Sequence, residues 1–231
     1  MSELSGIDLF TGMTAAELDR IWGSGRVVTP RDGARIFTQG DAADAVYVIL
    51  SSEGHVRVGT THQASKGLMV EIFQAGDIFG EVGVIDGSER TADAVAQGRI
   101  RLLRIGDSAF LAALAESPTL GVNLCRMLAK RLRRTFTLLE DATFESLEVR
   151  LARQVLYLAK REGRRTGNSV QLTGRFRQGD LADLLGATTR SIITILNAWR
   201  ASGMVAYDPQ KARLTICREA ELQRLLSDAV R

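Results

Sequence analysis

Residues 79–92, FGEVGVIDGSERTA, decide how the rest of the chain is read. Gly80 and Gly83 flank Glu81 and Val82, and the pair Arg90-Thr91 begins nine positions after Glu81. Glycine lets a backbone come close to a ligand, and the N–H groups of such a turn form a small anion-binding concavity. Glu81 can accept hydrogen bonds from a sugar hydroxyl, while Arg90 offers a planar donor fork to one phosphate. One carboxylate and one guanidinium suit a ribose cyclic phosphate. They equally suit a structural ion pair beside a hairpin turn, and residue chemistry leaves both readings open.

Outward from this cassette, Val27 to about Ile105 consists of short β-branched and alternating runs, among them Ala45–Leu50, His55–Val58, Leu68–Phe73 and Ile100–Ile105. Gly33, Gly40, Gly54, Gly76, Gly87 and Gly98 fall between them as turn positions, which predicts an antiparallel barrel or roll. Before it, Thr14 with Glu17 three residues on, followed by Leu18, Ile21 and Trp22, predicts a short capped helix over 14–24.

Ser117-Pro118 forms an N-cap and first-turn pair, after which three dozen residues hold no proline and no glycine beyond Gly121. One long helix is expected. Leu124, Leu128, Leu132, Thr135, Leu139 and Ala142 form a stripe along it, which either packs on the chain's own roll or pairs in parallel with a second copy.

Further on, Leu147, Leu151, Val155 and Leu158 start another helical pattern. Residues 177–196, RQGDLADLLGATTRSIITIL, read as a helix over 178–185, a tight turn at Gly186 and a second helix from Thr188. An extended pair follows around Tyr207-Asp208-Pro209, the order of parts in a winged helix-turn-helix. Ile192, Ile195, Leu196 and Trp199 make the buried stripe of the second helix, leaving Thr189, Arg190, Ser191, Thr194 and Asn197 for bases and phosphates. Residues 1–145 carry 15 Lys/Arg and 19 Asp/Glu, net −4, whereas 146–231 carry 15 and 8, net +7. The basic half suits a phosphate-rich partner.

Cys125 and Cys217 lie outside any metal-ligand or disulfide spacing and are expected as buried thiols. His55 and His62 are expected at the surface or in turns. No metal or redox cofactor is foreseen. No apolar run is long enough for a membrane span and the start of the chain lacks a signal pattern, so a cytoplasmic location is expected.

The cassette resembles the cyclic-nucleotide-binding signature of the cAMP-receptor/FNR family of bacterial transcription regulators, and the similarity spans nearly the whole chain. It implies an α+β architecture: an antiparallel β-roll over 1–116, a dimerisation helix over 117–145 and a winged helix-turn-helix over 146–231. By that resemblance Gly80, Glu81, Val82 and Gly83 line the nucleotide, Glu81 holding the ribose 2′-hydroxyl. Arg90 holds the cyclic phosphate, Thr91 lies beside phosphate or base, and Thr135 reaches the purine from the dimer interface. Family members often carry a second hydroxyl where this chain has Phe136, and Thr91 keeps cGMP open beside cAMP.

The resemblance further implies a homodimer on a two-fold palindromic operator in double-stranded DNA, with RNA polymerase as a partner. Arg190 is the expected base contact, Thr188 and Gln178 take phosphates, and Arg177 adds charge. Many members hold an Arg-Glu pair where this chain has Thr189-Arg190 and an Arg where it has Thr194, so the operator sequence does not carry over. Three alternatives compete: the same fold sensing through heme or an iron–sulfur cluster, a ligand-independent regulator, and an enzyme. The last lacks a nucleophile–base pair, a metal set and a phosphate loop in the sequence.

Overall fold

The computed structural model of the protein describes residues 3–62 and 66–229. In chain order the regular elements begin with α1 (Ala15–Ser24), β1 (Gly25–Val28), β2 (Arg35–Phe37), β3 (Ala45–Ser52), β4 (His55–His62), β5 (Lys66–Phe73) and β6 (Ile78–Phe79). There follow α2 (Glu81–Asp86), β7 (Asp93–Gln97), β8 (Ile100–Gly106), α3 (Asp107–Glu116) and α4 (Pro118–Phe144). The remainder is α5 (Leu147–Glu162), β9 (Gly163–Thr166), β10 (Ser169–Leu172), α6 (Gln178–Leu185), α7 (Thr189–Ala201), β11 (Val205–Asp208), β12 (Arg213–Ile216) and α8 (Glu219–Ala229). Two compact units divide the chain within α4: Met1–Thr61 with Val70–Thr135, and His62–Met69 with Phe136–Arg231.

The first unit holds the expected antiparallel roll, with sheets ordered β1-β8-β3-β6 and β2-β7-β4-β5. Strand β3 shows why its sequence is an unbroken apolar run rather than an alternating one. Val46 and Val48 join a cluster with Leu18, Ile21, Phe110, Leu120 and Leu124. Ala45, Tyr47 and Ile49 point the other way, into a second cluster with Val56, Phe73, Phe79 and Leu102. Successive side chains of a strand leave opposite faces, and here both faces are covered.

Thr14 caps α1 in a full capping box with Glu17, as T-x-x-E predicts. Three sequence expectations are corrected in this unit. His55 is buried, because the turn closes before it and His55 already pairs with Gln97 inside the sheet; the side chain of His62 lies outside the described residues. Cys125 is exposed, and in the second unit Cys217 is half-buried. Cys125 follows Leu124 by one helical position and so sits on a different face of α4.

The third correction concerns the stripe on α4. Leu120 and Leu124 are buried in the roll's cluster, with Met127 and Leu128 packed beside them. A different row is exposed: Val122 at 48%, Leu132 at 56%, Phe136 at 62% and Leu139 at 64%. The expected stripe thus merged two faces. Leu124 and Leu128 serve the roll, while Leu132 and Leu139 belong to the exposed row, where Thr135 and Ala142 are exposed beside them.

In the second unit, α5 and α7 pack against the four-stranded sheet β11-β12-β10-β9, and α6 packs on α5 and α7. Leu151, Val155, Leu181, Ile192, Leu196, Trp199, Leu214 and Ile216 are all buried. Trp199 Nε1 donates to Glu148 Oε1 at 2.8 Å, and Arg150 Nη2 donates to the Leu185 carbonyl at 2.6 Å, so α5 grips both helices of the helix-turn-helix.

Candidate effector and DNA sites

The cassette folds as the end of β6 followed by the short helix α2, with Gly80 between them at φ 80°. A Cβ on Gly80 would stand 2.8 Å from Arg90 Nη1, and one on Gly83 would stand 2.7 Å from the Ser88 carbonyl. Both glycines therefore let the cassette close on itself. Glu81 and Arg90 are buried, whereas Val82 and Thr91 are exposed.

Arg90 is held from several sides. Nη1 donates to the Gly80 carbonyl at 2.7 Å, and Nη2 donates to the Ala45 carbonyl at 2.8 Å and to Asp44 Oδ1 at 3.1 Å. The guanidinium lies over the Phe37 ring, 4.2 Å from its centroid. Its Nε is buried with no hydrogen-bond partner among the described residues. Asp44 also accepts from Arg104 Nη2 at 2.6 Å. Burial alone would raise the Asp44 carboxyl, but the Arg104 hydrogen bond and charge, with Arg90 behind them, outweigh it and hold the group below its ordinary value.

The two cassette residues do not pair with each other. Glu81 instead receives Arg131 Nη1 at 2.5 Å, and Nη2 of the same arginine donates to the Ile78 carbonyl at 2.5 Å. Arg131, on α4, was not singled out from sequence, because fifty residues separate it from Glu81. One turn along α4, Arg134 Nε donates to Glu71 Oε2 at 2.9 Å. Thr135 returns its hydroxyl to the Arg131 carbonyl at 3.0 Å, and Phe136 is exposed.

In the second unit α6 ends at Gly186, whose φ of 59° makes the left-handed turn into Thr188. Thr188 caps α7 by accepting from the Ser191 N–H at 3.2 Å. Thr189, Arg190, Thr194 and Asn197 are exposed and Ser191 half-buried, on the side opposite Ile192, Leu196 and Trp199. Arg177 is exposed and Gln178 half-buried at the start of α6. Among the described residues no group of three His, Cys, Asp or Glu is placed to hold a metal, and no helix is long and apolar enough to cross a membrane.

A β-roll with a buried Glu/Arg cassette, joined through a long helix to a winged helix-turn-helix, defines a class of ligand-domain DNA-reading regulators. Known proteins agree. The cyclic nucleotide-binding domain family matches residues 28–117, and the Crp-like helix-turn-helix domain family matches residues 149–225. The chain is 31% identical to the cyclic AMP receptor protein of Thermus thermophilus over 219 residues, 95% of this chain and 96% of the relative. It is also 31% identical to the CRP-like cAMP-activated global transcriptional regulator of Mycobacterium tuberculosis over 160 residues, 69% of this chain and 70% of the relative.

Among solved structures, FixK2 from Bradyrhizobium japonicum matches with a TM-score of 0.76 at 18% identity, covering 87% of this chain and 96% of that one. The c-di-GMP-responsive regulator CLP of Xanthomonas campestris matches at 0.73 and 19% identity, over 88% and 99%. Both show the shared fold. The chain belongs to the CRP/FNR family of transcription regulators.

Proposed function

We propose that this regulator is a homodimer whose DNA binding is controlled by a cyclic nucleotide, cAMP or cGMP or both. The reading divides the chain into an effector roll over 1–116, a dimerisation helix over 117–145 and a DNA-binding domain over 146–231. The observation that carries it is Arg90: a buried guanidinium with an unpartnered Nε, next to Gly80 and in the same cassette as Glu81. A buried donor without an acceptor costs roughly 1–3 kcal/mol, and a single anionic phosphate would supply the missing acceptor.

In this reading Arg90 takes the cyclic phosphate, Glu81 the ribose hydroxyl and Thr135 the base, with Gly80, Val82, Gly83, Thr91 and Phe136 around them. The exposed row on α4 meets its copy in a second chain. Ligand shifts DNA affinity only by binding one arrangement of the paired helices better than the other. Arg190 reads a base, Thr189, Ser191, Thr194 and Asn197 line the groove, and Arg177, Gln178 and Thr188 take phosphates of a palindromic operator. The protein acts in the cytoplasm with RNA polymerase as a further partner, and it binds rather than transforms its effector, without a metal or redox cofactor.

Calorimetry with cAMP and cGMP tests the effector. Wild type binds at least one of them, and Arg90→Ala weakens binding about 10- to 100-fold, the size of a lost charge-assisted hydrogen bond of about 1.5–3 kcal/mol. A wild-type protein that binds neither nucleotide ends the effector reading.

A further inference from the structure

The hydrogen bonds of Arg90 continue to a second arginine. Asp44 accepts from Arg90 Nη2 through Oδ1 at 3.1 Å and from Arg104 Nη2 through Oδ2 at 2.6 Å. The same Nη2 of Arg104 lies 3.5 Å from the Asp44 carbonyl oxygen. Strand β8 brings it there: Arg104 pairs in register with Tyr47 of β3, and Asp44 stands one residue before that strand begins. The Arg90 side chain is 1% exposed, Arg104 23% and Asp44 62%.

An exposed carboxylate is by itself a poor holder of a buried guanidinium, because fixing a free side chain in one geometry offsets most of what the pair gains. Here an arginine on each oxygen fixes it. Asp44 is also the wrong charge for its place. Nη1 and Nη2 of Arg90 are each bound to protein acceptors and Nε alone lacks one, so in the reading above an anionic phosphate shares one guanidinium with Asp44. The two negative charges then stand within about a Debye length, roughly 10 Å at about 0.1 M salt, and repel. Arg104 supplies the cation that offsets Asp44 through its other oxygen.

We propose that Arg104 is a positioning residue of the effector site: it fixes Asp44 on Arg90 and cancels the charge with which Asp44 would otherwise repel the phosphate. This deepens the cyclic-nucleotide reading and rests on it. Its action runs through Asp44 and Arg90 rather than through contact with the nucleotide.

The test is calorimetry on the full-length protein with cAMP and cGMP at low and high salt. Arg104→Met, which keeps an unbranched stem but removes the charge, is expected to weaken binding of whichever nucleotide wild type takes about tenfold at low salt. The wild-type to variant ratio is expected to shrink at high salt, since repulsion between accessible charges is screened. Asp44→Asn added to Arg104→Met is expected to restore most of the loss, because the amide oxygen still accepts from Arg90 while the repelling charge is gone. A merely structural role would make the two losses add and leave them indifferent to salt. Unchanged affinity in Arg104→Met, a loss that salt does not reduce, or a double variant as weak as the single one overturns the proposal while leaving the effector reading intact. If Arg104→Met does not fold, Arg104→Gln carries the same test. A wild type that binds neither nucleotide overturns both readings.

Discussion

At Glu17, hydrogen bonds from two distant parts of the chain converge on one half-buried carboxylate. Thr14 donates through its N–H at 2.8 Å and its hydroxyl at 2.7 Å, and Ser117 donates through its hydroxyl at 2.7 Å. The Ser117 bond, then the two from Thr14, lower the carboxyl to about 2 from 4.5. A carboxyl with a lowered folded-state value stabilises the fold above its unfolded value and loses that contribution as pH falls through the folded one. The stabilisation should therefore be complete above about pH 4.5 and gone near pH 2. Glu17→Gln is expected to remove this slope, so urea unfolding of wild type and variant should differ at pH 6 and converge towards pH 2. A difference independent of pH would mean that packing, not the charge, is at stake. The Thr14–Glu17 half of this device was legible as a local T-x-x-E pattern. The Ser117 half was not, because the pairing spans a hundred positions, and the same holds for Arg131–Glu81 and Arg134–Glu71.

Helix α4 shows the corresponding limit for an element. Its existence and its start at Pro118 follow from Ser117-Pro118 and the absence of breakers, but its facing does not, since apolar periodicity adds together every face that is covered. The exposed face steps through Val122, Cys125, Ala129, Leu132, Phe136, Leu139 and Thr143 at alternating intervals of three and four, the repeat of a parallel two-stranded coiled coil. In the dimer proposed above each seam residue would face its own copy, which would set Cys125 opposite Cys125 of the second chain. Mild oxidation is expected to yield a covalent dimer on a non-reducing gel, while Leu132→Asp, which puts two carboxylates into the seam, sediments as a monomer and does not cross-link. A wild-type monomer by sedimentation would refute the seam.

Other elements escaped the sequence for definite reasons. Helix α3 follows β8 directly and ends one residue before Ser117-Pro118, and its apolar residues run without a break from Ala109 to Ala115, so no helical period marks it. The hairpin β9–β10 is two four-residue strands, too short for a period to emerge.

For the whole molecule, charge and topology point the same way: the net +7 of residues 146–231 lies in the half that presents α7. The helix-turn-helix was legible nearly residue for residue, because α6, the Gly186 turn and the buried stripe of α7 are all short-range features. Its role in DNA reading makes two separable predictions. In the dimer proposed above, the two α7 helices meet the major groove about one helical turn apart, roughly 34 Å. Inserting about 5 base pairs between the half-sites of a selected operator turns one half-site to the opposite side of the duplex. Affinity should then fall to that of unrelated DNA. Arg190→Ala should instead keep the spacing requirement and relax preference at one base pair per half-site by about 1–3 kcal/mol, whereas loss of a phosphate contact such as Gln178 would weaken all sequences alike. Binding that tolerates the insertion would mean that the two helices are not fixed by a common seam. Uniform weakening by Arg190→Ala would move the base contact to another exposed residue of α7.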